Sequence, residues 1–210
     1  MNVIPEKLRG WHNNLTKKSR LLCYGVLGNL ILTMLDLAAS LAGGRGSITN
    51  GAHNGSDAFS YGLRTLVASN KLSEKASKNI LLGANLLALS LTGVLTVKAG
   101  FDLRHQHNIE ASAAWLELAS SLGNFTIAAG LDDDSNHAEG HSHHNHAIKD
   151  GHNHAEADAR ASVFATTGLV GACITGDSRL DSLGALVGGV VFMSHMRKHM
   201  LKQNDHDHTH

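Results

Sequence analysis

The sequence predicts an all-α membrane protein with six transmembrane helices and both termini on the cytoplasmic side. Three observations carry that prediction. Polarity is segregated: mean hydropathy is only −0.10, yet polar residues and the 16 histidines crowd into the chain ends and one central loop. The apolar runs between them approach the roughly 20 residues that cross a bilayer as a helix. Positive charge is also asymmetric. Lys and Arg gather in the N-terminal tail, at Lys71, Lys75 and Lys78, and after Met196, whereas the alternate loops hold only Arg45, Lys98, Arg104 and Arg179. Positive charge marks the cytoplasmic face. A soluble helical bundle is the competing reading, because several runs are near or below spanning length and carry charges.

The elements follow in order. Residues 1–20 form a cytoplasmic N-terminal segment with Trp11 as an interfacial ring or part of a plain tail. It lacks the short apolar core of a cleavable signal. A first span runs from Leu21 to Leu41, interrupted by Asn29 and Asp36, and ends at the Gly43–Gly44–Arg45–Gly46–Ser47 turn. The second is Ile48–Ser69. The third, Asn79–Val97, has no charged residue. A polar loop, Lys98–Asn108, leads to the fourth, Ile109–Leu131, with Glu110 and Glu117. A histidine-rich loop covers 135–153 and lies on the cytoplasmic side by the same charge rule. The fifth span is His154–Thr175 and the sixth Leu180–Met196, so the six-helix unit covers 21–196. Residues 197–210 form a short histidine-rich tail whose plain reading is a disordered end.

At 210 residues the length suits one domain. A formal net charge of +0 offers no basic field for nucleic acid, which is therefore not an expected partner. Cys23 and Cys173 stand inside apolar runs and read as small buried residues, neither a disulfide framework nor a metal clip.

Two short motifs carry the chemistry. His53 and Asp57, and again His154 and Asp158, are four residues apart, which stacks each pair on one helix face. Two such helices side by side converge two imidazoles and two carboxylates, a four-ligand set of the kind a zinc-like ion accepts. Ionisable residues inside a membrane mark a site or pathway, and these four have ligand spacing. Imidazole and carboxylate suit zinc, cobalt and related divalent ions, and the absence of thiolates argues against copper(I). Ligation requires proton loss, and free histidine titrates near pH 6.5 as a rough reference, so metal and proton compete. Among the remaining histidines, His137, His141, His143, His144, His146 and His152 read as a loose metal collector or a solvated linker, because their spacing fixes no geometry. Glu117 reads as structural, and Asp36 is open between a structural polar pair and a proton path. Arg64 is expected to snorkel toward the cytoplasmic interface.

On these residues the chain resembles the cation diffusion facilitator family of six-helix metal exporters, from about Arg20 to Met196. The matching pieces are Gly46–Ser47 before His53-x-x-x-Asp57, His154-x-x-x-Asp158 followed by Ser162, Leu122–Gly123–Asn124, and Leu180–Asp181–Ser182–Leu183–Gly184–Ala185–Leu186. A histidine-rich loop between helices four and five is typical of the family too. The resemblance implies that His53, Asp57, His154 and Asp158 are the transport-site ligands and that Asp181 is an accessory position. Asn50, where members often carry Asp, and Asp36 are counted as further accessory candidates. The usual Gly–Tyr–x–Arg–x–Glu opening of helix three is replaced by Lys78–Asn79–Ile80–Leu81–Leu82–Gly83. Arg160 points off the ligand face. If helix five extends back toward Ala147, the site sits in a wet cytoplasmic vestibule. The family's C-terminal cytoplasmic domain is expected to be absent.

The expected function is efflux of Zn²⁺ as transported substrate, with Co²⁺, Ni²⁺ or Cd²⁺ as alternatives, in exchange for protons by alternating access. No covalent chemistry and no organic cofactor are implied. The expected location is integral and multi-pass, in a bacterial inner membrane, with the lipid bilayer, metal ions and protons as partners and helix-mediated homodimerisation left open. Two other readings compete: a membrane metal-binding or sensing protein without a transport cycle, and a soluble helical metalloenzyme using Glu156 as a base.

Overall fold

The computed structural model of the protein describes residues 17–69, 73–136 and 143–207. The expectations for Trp11, Lys71, His137, His141 and the last three residues lie outside the described residues. So do those for the side chains of His143, His144 and His146, although the backbone there is described.

The described residues form six α-helices and no strand: α1 Lys17–Leu41, α2 Arg45–Ser69, α3 Glu74–Asp102, α4 Ala111–Asn136, α5 His143–Thr175 and α6 Arg179–Asp207. The all-α expectation is met; five of the six expected apolar runs lie within one helix, and the fourth, Ile109–Leu131, begins two residues before its helix. Two helices, over Ser19–Leu41 and Lys75–Asp102, are long and apolar enough to cross a membrane by length and composition.

Several boundaries correct the sequence reading. Helix α3 starts five residues before Asn79, capped by Ser73, whose hydroxyl accepts from the Ala76 N–H (3.3 Å). Helix α5 begins at His143, so the back half of the expected loop 135–153 is helical. A polar helix start leaves no mark in an apolar count. Likewise α6 continues to Asp207, through most of the expected disordered tail. Cys23 and Cys173 are partly exposed free thiols, not buried ones.

One end of the bundle is pinned by short connections. Leu41 and Arg45 are joined through Gly43, whose φ of 98° is open to glycine, and the Glu110 N–H donates to the Ala42 carbonyl (2.9 Å). The His107 N–H reaches Ser178 Oγ (2.8 Å), and the Gly46 N–H donates to Asp181 Oδ2 (2.9 Å). Asp181 thereby ties the start of α6 to the start of α2. From this end α2 runs inward between α1, α3, α5 and α6.

Polarity is inverted relative to a water-soluble bundle. The interior holds alanines with buried polar side chains, among them Asn29, Asp36, Asn54, Asp57, Arg64, Glu117 and Asp158. Large apolar side chains face outward on every helix, including Leu41 at 83% exposure, Trp115 at 72% and Ile174 at 79%. An exposed apolar surface of that extent marks an interaction face, membrane included.

Candidate metal centre

Helices α2 and α5 bring the four motif residues together. Their burial is nearly complete: His53 is 8% exposed, Asp158 3%, and Asp57 and His154 0%. Along α2, His53 and Asp57 stand about 12 and 18 Å from the helix start, at about 1.5 Å per residue. The centre is thus well inside the bundle.

The pairing is crossed. His53 Nε2 contacts Asp158 Oδ1, and His154 Nε2 contacts Asp57 Oδ1 at 2.5 Å. Within each helix the pair is longer: His53 Nε2 to Asp57 Oδ2 is 4.0 Å and His154 Nε2 to Asp158 Oδ2 is 3.8 Å. Each imidazole therefore binds the carboxylate of the opposite helix and faces that of its own. Ligand atoms of His53, Asp57 and Asp158 all lie within 4.8 Å of one another, and His154 joins through its contacts to both carboxylates. A tetrahedral zinc with bonds of about 2.1 Å spaces its ligand atoms about 3.4 Å apart. Replacing the crossed contacts by a central ion needs shifts of about an ångström, well within side-chain reach. Asp57 Oδ2 and His154 Nδ1 are buried without a hydrogen bond; the carboxylate oxygen is a lone-pair donor available to a cation.

The surrounding residues set the ring orientations. The His53 and His154 rings stack at 6.3 Å between centroids and 18° between planes. Phe192 of α6 meets both edge-on, at 4.2 Å and 88° to His53 and 5.4 Å and 81° to His154. Thr92 Oγ1 of α3 lies 3.0 Å from His53 Nδ1, and its own backbone carbonyl accepts from Thr96 (2.7 Å). In the neutral tautomer that donates Nδ1–H to Thr92, Nε2 is left as the ligand atom. Removing such an orienting partner typically lowers metal affinity 10- to 100-fold, roughly. Thr92→Val, nearly isosteric, is therefore expected to weaken zinc binding by about that factor, read by calorimetric titration, while the fold is retained.

The two ends of the centre differ. A small cavity of about 20 Å³ adjoins His53 and is lined by Thr49, Asn50, Thr92, Ala185, Gly188 and Phe192 among others. It has room for a water or a bare ion and none for an organic substrate. Its α2 and α5 lining residues lie toward the pinned end. On the opposite side Tyr61 closes the centre. Its hydroxyl donates to the Gly151 carbonyl (2.9 Å), and its ring meets His154 edge-on at 6.3 Å. Arg64 lies beneath, 5.6 Å from the Tyr61 ring centroid, with Nη2 donating to Asn85 Oδ1 (2.7 Å).

Two expectations are overturned here. Arg64 is fully buried and does not snorkel: Asn85 and Tyr61 hold it in the interior. The extension of α5 does not open a wet vestibule at the ligands. Gly151 lets Tyr61 and Arg64 pass close to α5 and so covers them.

The accessory candidates do not join the four. Asp36 is bound by Asn54 Nδ2 (2.6 Å). Asn50 donates to Glu117 Oε1, whose Oε2 accepts from Ser47 (2.6 Å). Asp181 is at the pinned end, 3.7 Å from His107. Of the loop histidines, His152 is part-buried with Nδ1 3.3 Å from the Ala128 carbonyl. Arg160 is exposed and pairs with Glu156, as its spacing predicts. Sequence reading missed Thr92, Phe192 and Tyr61. The polar positions Asn85, Thr92 and Thr96 lie on one face of α3 at helical spacing, a signal for Thr92; the two aromatic residues carry none. Comparison of the chain with protein-family models, curated proteins and solved structures finds no significant match.

Proposed function

We propose that the chain is an integral membrane exporter of a divalent cation, Zn²⁺ before Co²⁺, Ni²⁺ or Cd²⁺, that exchanges metal for protons by alternating access. The observation that carries this reading is the convergence of two His-x-x-x-Asp pairs, from α2 and α5, into one buried crossed set. Two carboxylates match the charge of a divalent ion, and two imidazoles supply neutral nitrogen donors. Six membrane-spanning helices are part of the proposal. The outward apolar faces on all six helices support it, because helices with polar inner faces score low by average hydropathy while presenting an apolar surface to lipid. The likeness of the motifs to cation diffusion facilitators points the same way. The cavity toward the pinned end, with Tyr61 and Arg64 across the other side, supports a site reached from one side at a time.

Proton competition gives the test. Each imidazole must lose its proton to ligate, so metal and proton compete and apparent zinc affinity falls as pH falls. Zinc titration of the purified protein at neutral and at acidic pH is expected to show a clear loss of affinity at the lower value. Affinity unchanged between the two would remove the exchange reading.

A further inference from the structure

Among the described residues, three buried carboxyls take no part in the metal centre: Asp181, held by the Gly46 N–H at the pinned end, and two others. Asp36 of α1 and Glu117 of α4 are both buried and face the side of α2 that carries Ser47, Asn50 and Asn54. Glu117 is fully served, since Ser47 and Asn50 each donate to one of its oxygens. Asp36 is not. Its Oδ2 accepts from Asn54 Nδ2 at 2.6 Å, and the Ser120 hydroxyl, 3.5 Å from Asn54 Nδ2, also faces the carboxyl; Oδ1 has no hydrogen bond, and neither has Asn54 Oδ1. Two buried acceptors without donors, on two side chains already joined by one bond, form a specific defect. Each unmade bond leaves the desolvation of its acceptor uncompensated. Among the described residues, the titratable groups acting on Asp36 are His53 from α2 and Glu117 from α4.

One proton removes both defects. A protonated carboxyl donates through one oxygen and accepts through the other, and a carboxamide has the same pattern through nitrogen and oxygen. The two groups complement each other as a closed ring of two hydrogen bonds. The acid is then neutral, which also removes the penalty of burying an uncompensated charge. A metal cation fits less well. Hard ions take about six oxygens, and those of Glu117 are already engaged.

We propose that Asp36 is a proton-binding site separate from the metal ligands, its neutral acid closed onto Asn54 by a reciprocal pair of hydrogen bonds. The pair fastens α1 to the turn of α2 that carries His53. The proton itself needs no transport cycle; only its bearing on exchange, through Asn54 beside His53, rests on the transporter reading. On ionisation the carboxylic acid becomes a carboxylate and the proton passes to bulk water, breaking one of the two bonds. The folded state then holds a proton that the unfolded chain has lost, so stability falls as pH rises through the range where Asp36 ionises.

Infrared spectroscopy of the purified full-length protein tests this. Asp36→Asn keeps the ring, since its carboxamide supplies both a donor and an acceptor. The wild type is expected to gain the carbonyl stretch of a hydrogen-bonded protonated carboxyl on acidification from neutral pH. That band is lost in Asp36→Asn, retained in Glu117→Gln and shifted toward the free acid in Asn54→Ala. The fall in thermal midpoint as pH rises from acid to neutral is smaller in Asp36→Asn. A wild-type spectrum without the band, or a band that Asp36→Asn leaves intact, overturns the proposal. If Asp36→Asn does not fold, an unshifted band in Asn54→Ala overturns it instead. No readout uses zinc or flux, so its failure leaves the exporter reading standing, and the reverse also holds.

Discussion

Asp57→Ala and Asp158→Ala are each expected to abolish zinc binding, with a loss of at least about 100-fold in affinity, because each removes a proposed ligand and leaves its crossed imidazole unpaired. Loss of a second-shell partner alone costs roughly 10- to 100-fold, so a first-shell carboxylate lies at or above the top of that range. The crossed contacts add a sign that distinguishes the two positions from ordinary buried aspartates. Without Asp57, His154 loses its carboxylate partner at 2.5 Å; without Asp158, His53 loses its own. Glu156→Ala, on the face of α5 turned away from His154 and Asp158, removes a pair with Arg160 and a 3.7 Å contact to His195 Nε2 and should leave affinity within about twofold, as surface pairs contribute little. Calorimetric titration of the three variants checks the contrast. Equal losses in all three would mean that the effect is on folding and not on ligation.

Gly184→Leu is expected to separate α5 from α6 and unfold the centre without touching a ligand. The two helices meet backbone to backbone. A Cβ on Gly184 would strike the Phe164 carbonyl and stand 2.9 Å from the Gly168 Cα, and one on Gly188 would stand 2.6 Å from the Ala161 carbonyl. Neither neighbour is a flexible side-chain end, so the helices themselves must move apart. Overpacking of this kind costs roughly 1–3 kcal/mol and more where backbone blocks relief. Small residues four apart allow this close approach between helices in lipid. Gly130 of α4 has nothing within 4 Å of an added Cβ, so Gly130→Leu is the matched control. Thermal midpoints in detergent should drop by many degrees for Gly184→Leu and hardly at all for Gly130→Leu. Similar midpoints for both would remove the close-packing account of α5 and α6.

The convergence of the four His and Asp residues was legible because their spacing is local. Four residues in sequence fix a shared helix face, so His53 with Asp57 and His154 with Asp158 needed only two adjacent helices to converge. The bundle's helices were legible for a similar reason, as apolar runs between turn clusters. What was hidden depends on contacts distant in sequence. The start of α5 at His143 lies in a polar stretch that no apolar count detects. Arg64 near a helix end reads as a snorkelling cation, and contacts with the Tyr61 ring and with Asn85, 21 residues on, turn it inward. Asp36 and Asn54 lie on different helices, and nothing in either local sequence announces that one proton could serve both. Phe192 sits among other apolar residues of α6, and its place between two imidazoles follows from packing alone.

The most direct measurement is zinc flux into proteoliposomes of the full-length protein under an imposed pH gradient. Flux that follows the gradient, reverses with it, and is lost in both Asp57→Ala and Asp158→Ala is the predicted result. Zinc that binds with the expected pH dependence but does not cross the bilayer under either gradient would contradict the transport cycle and leave a membrane metal-binding protein.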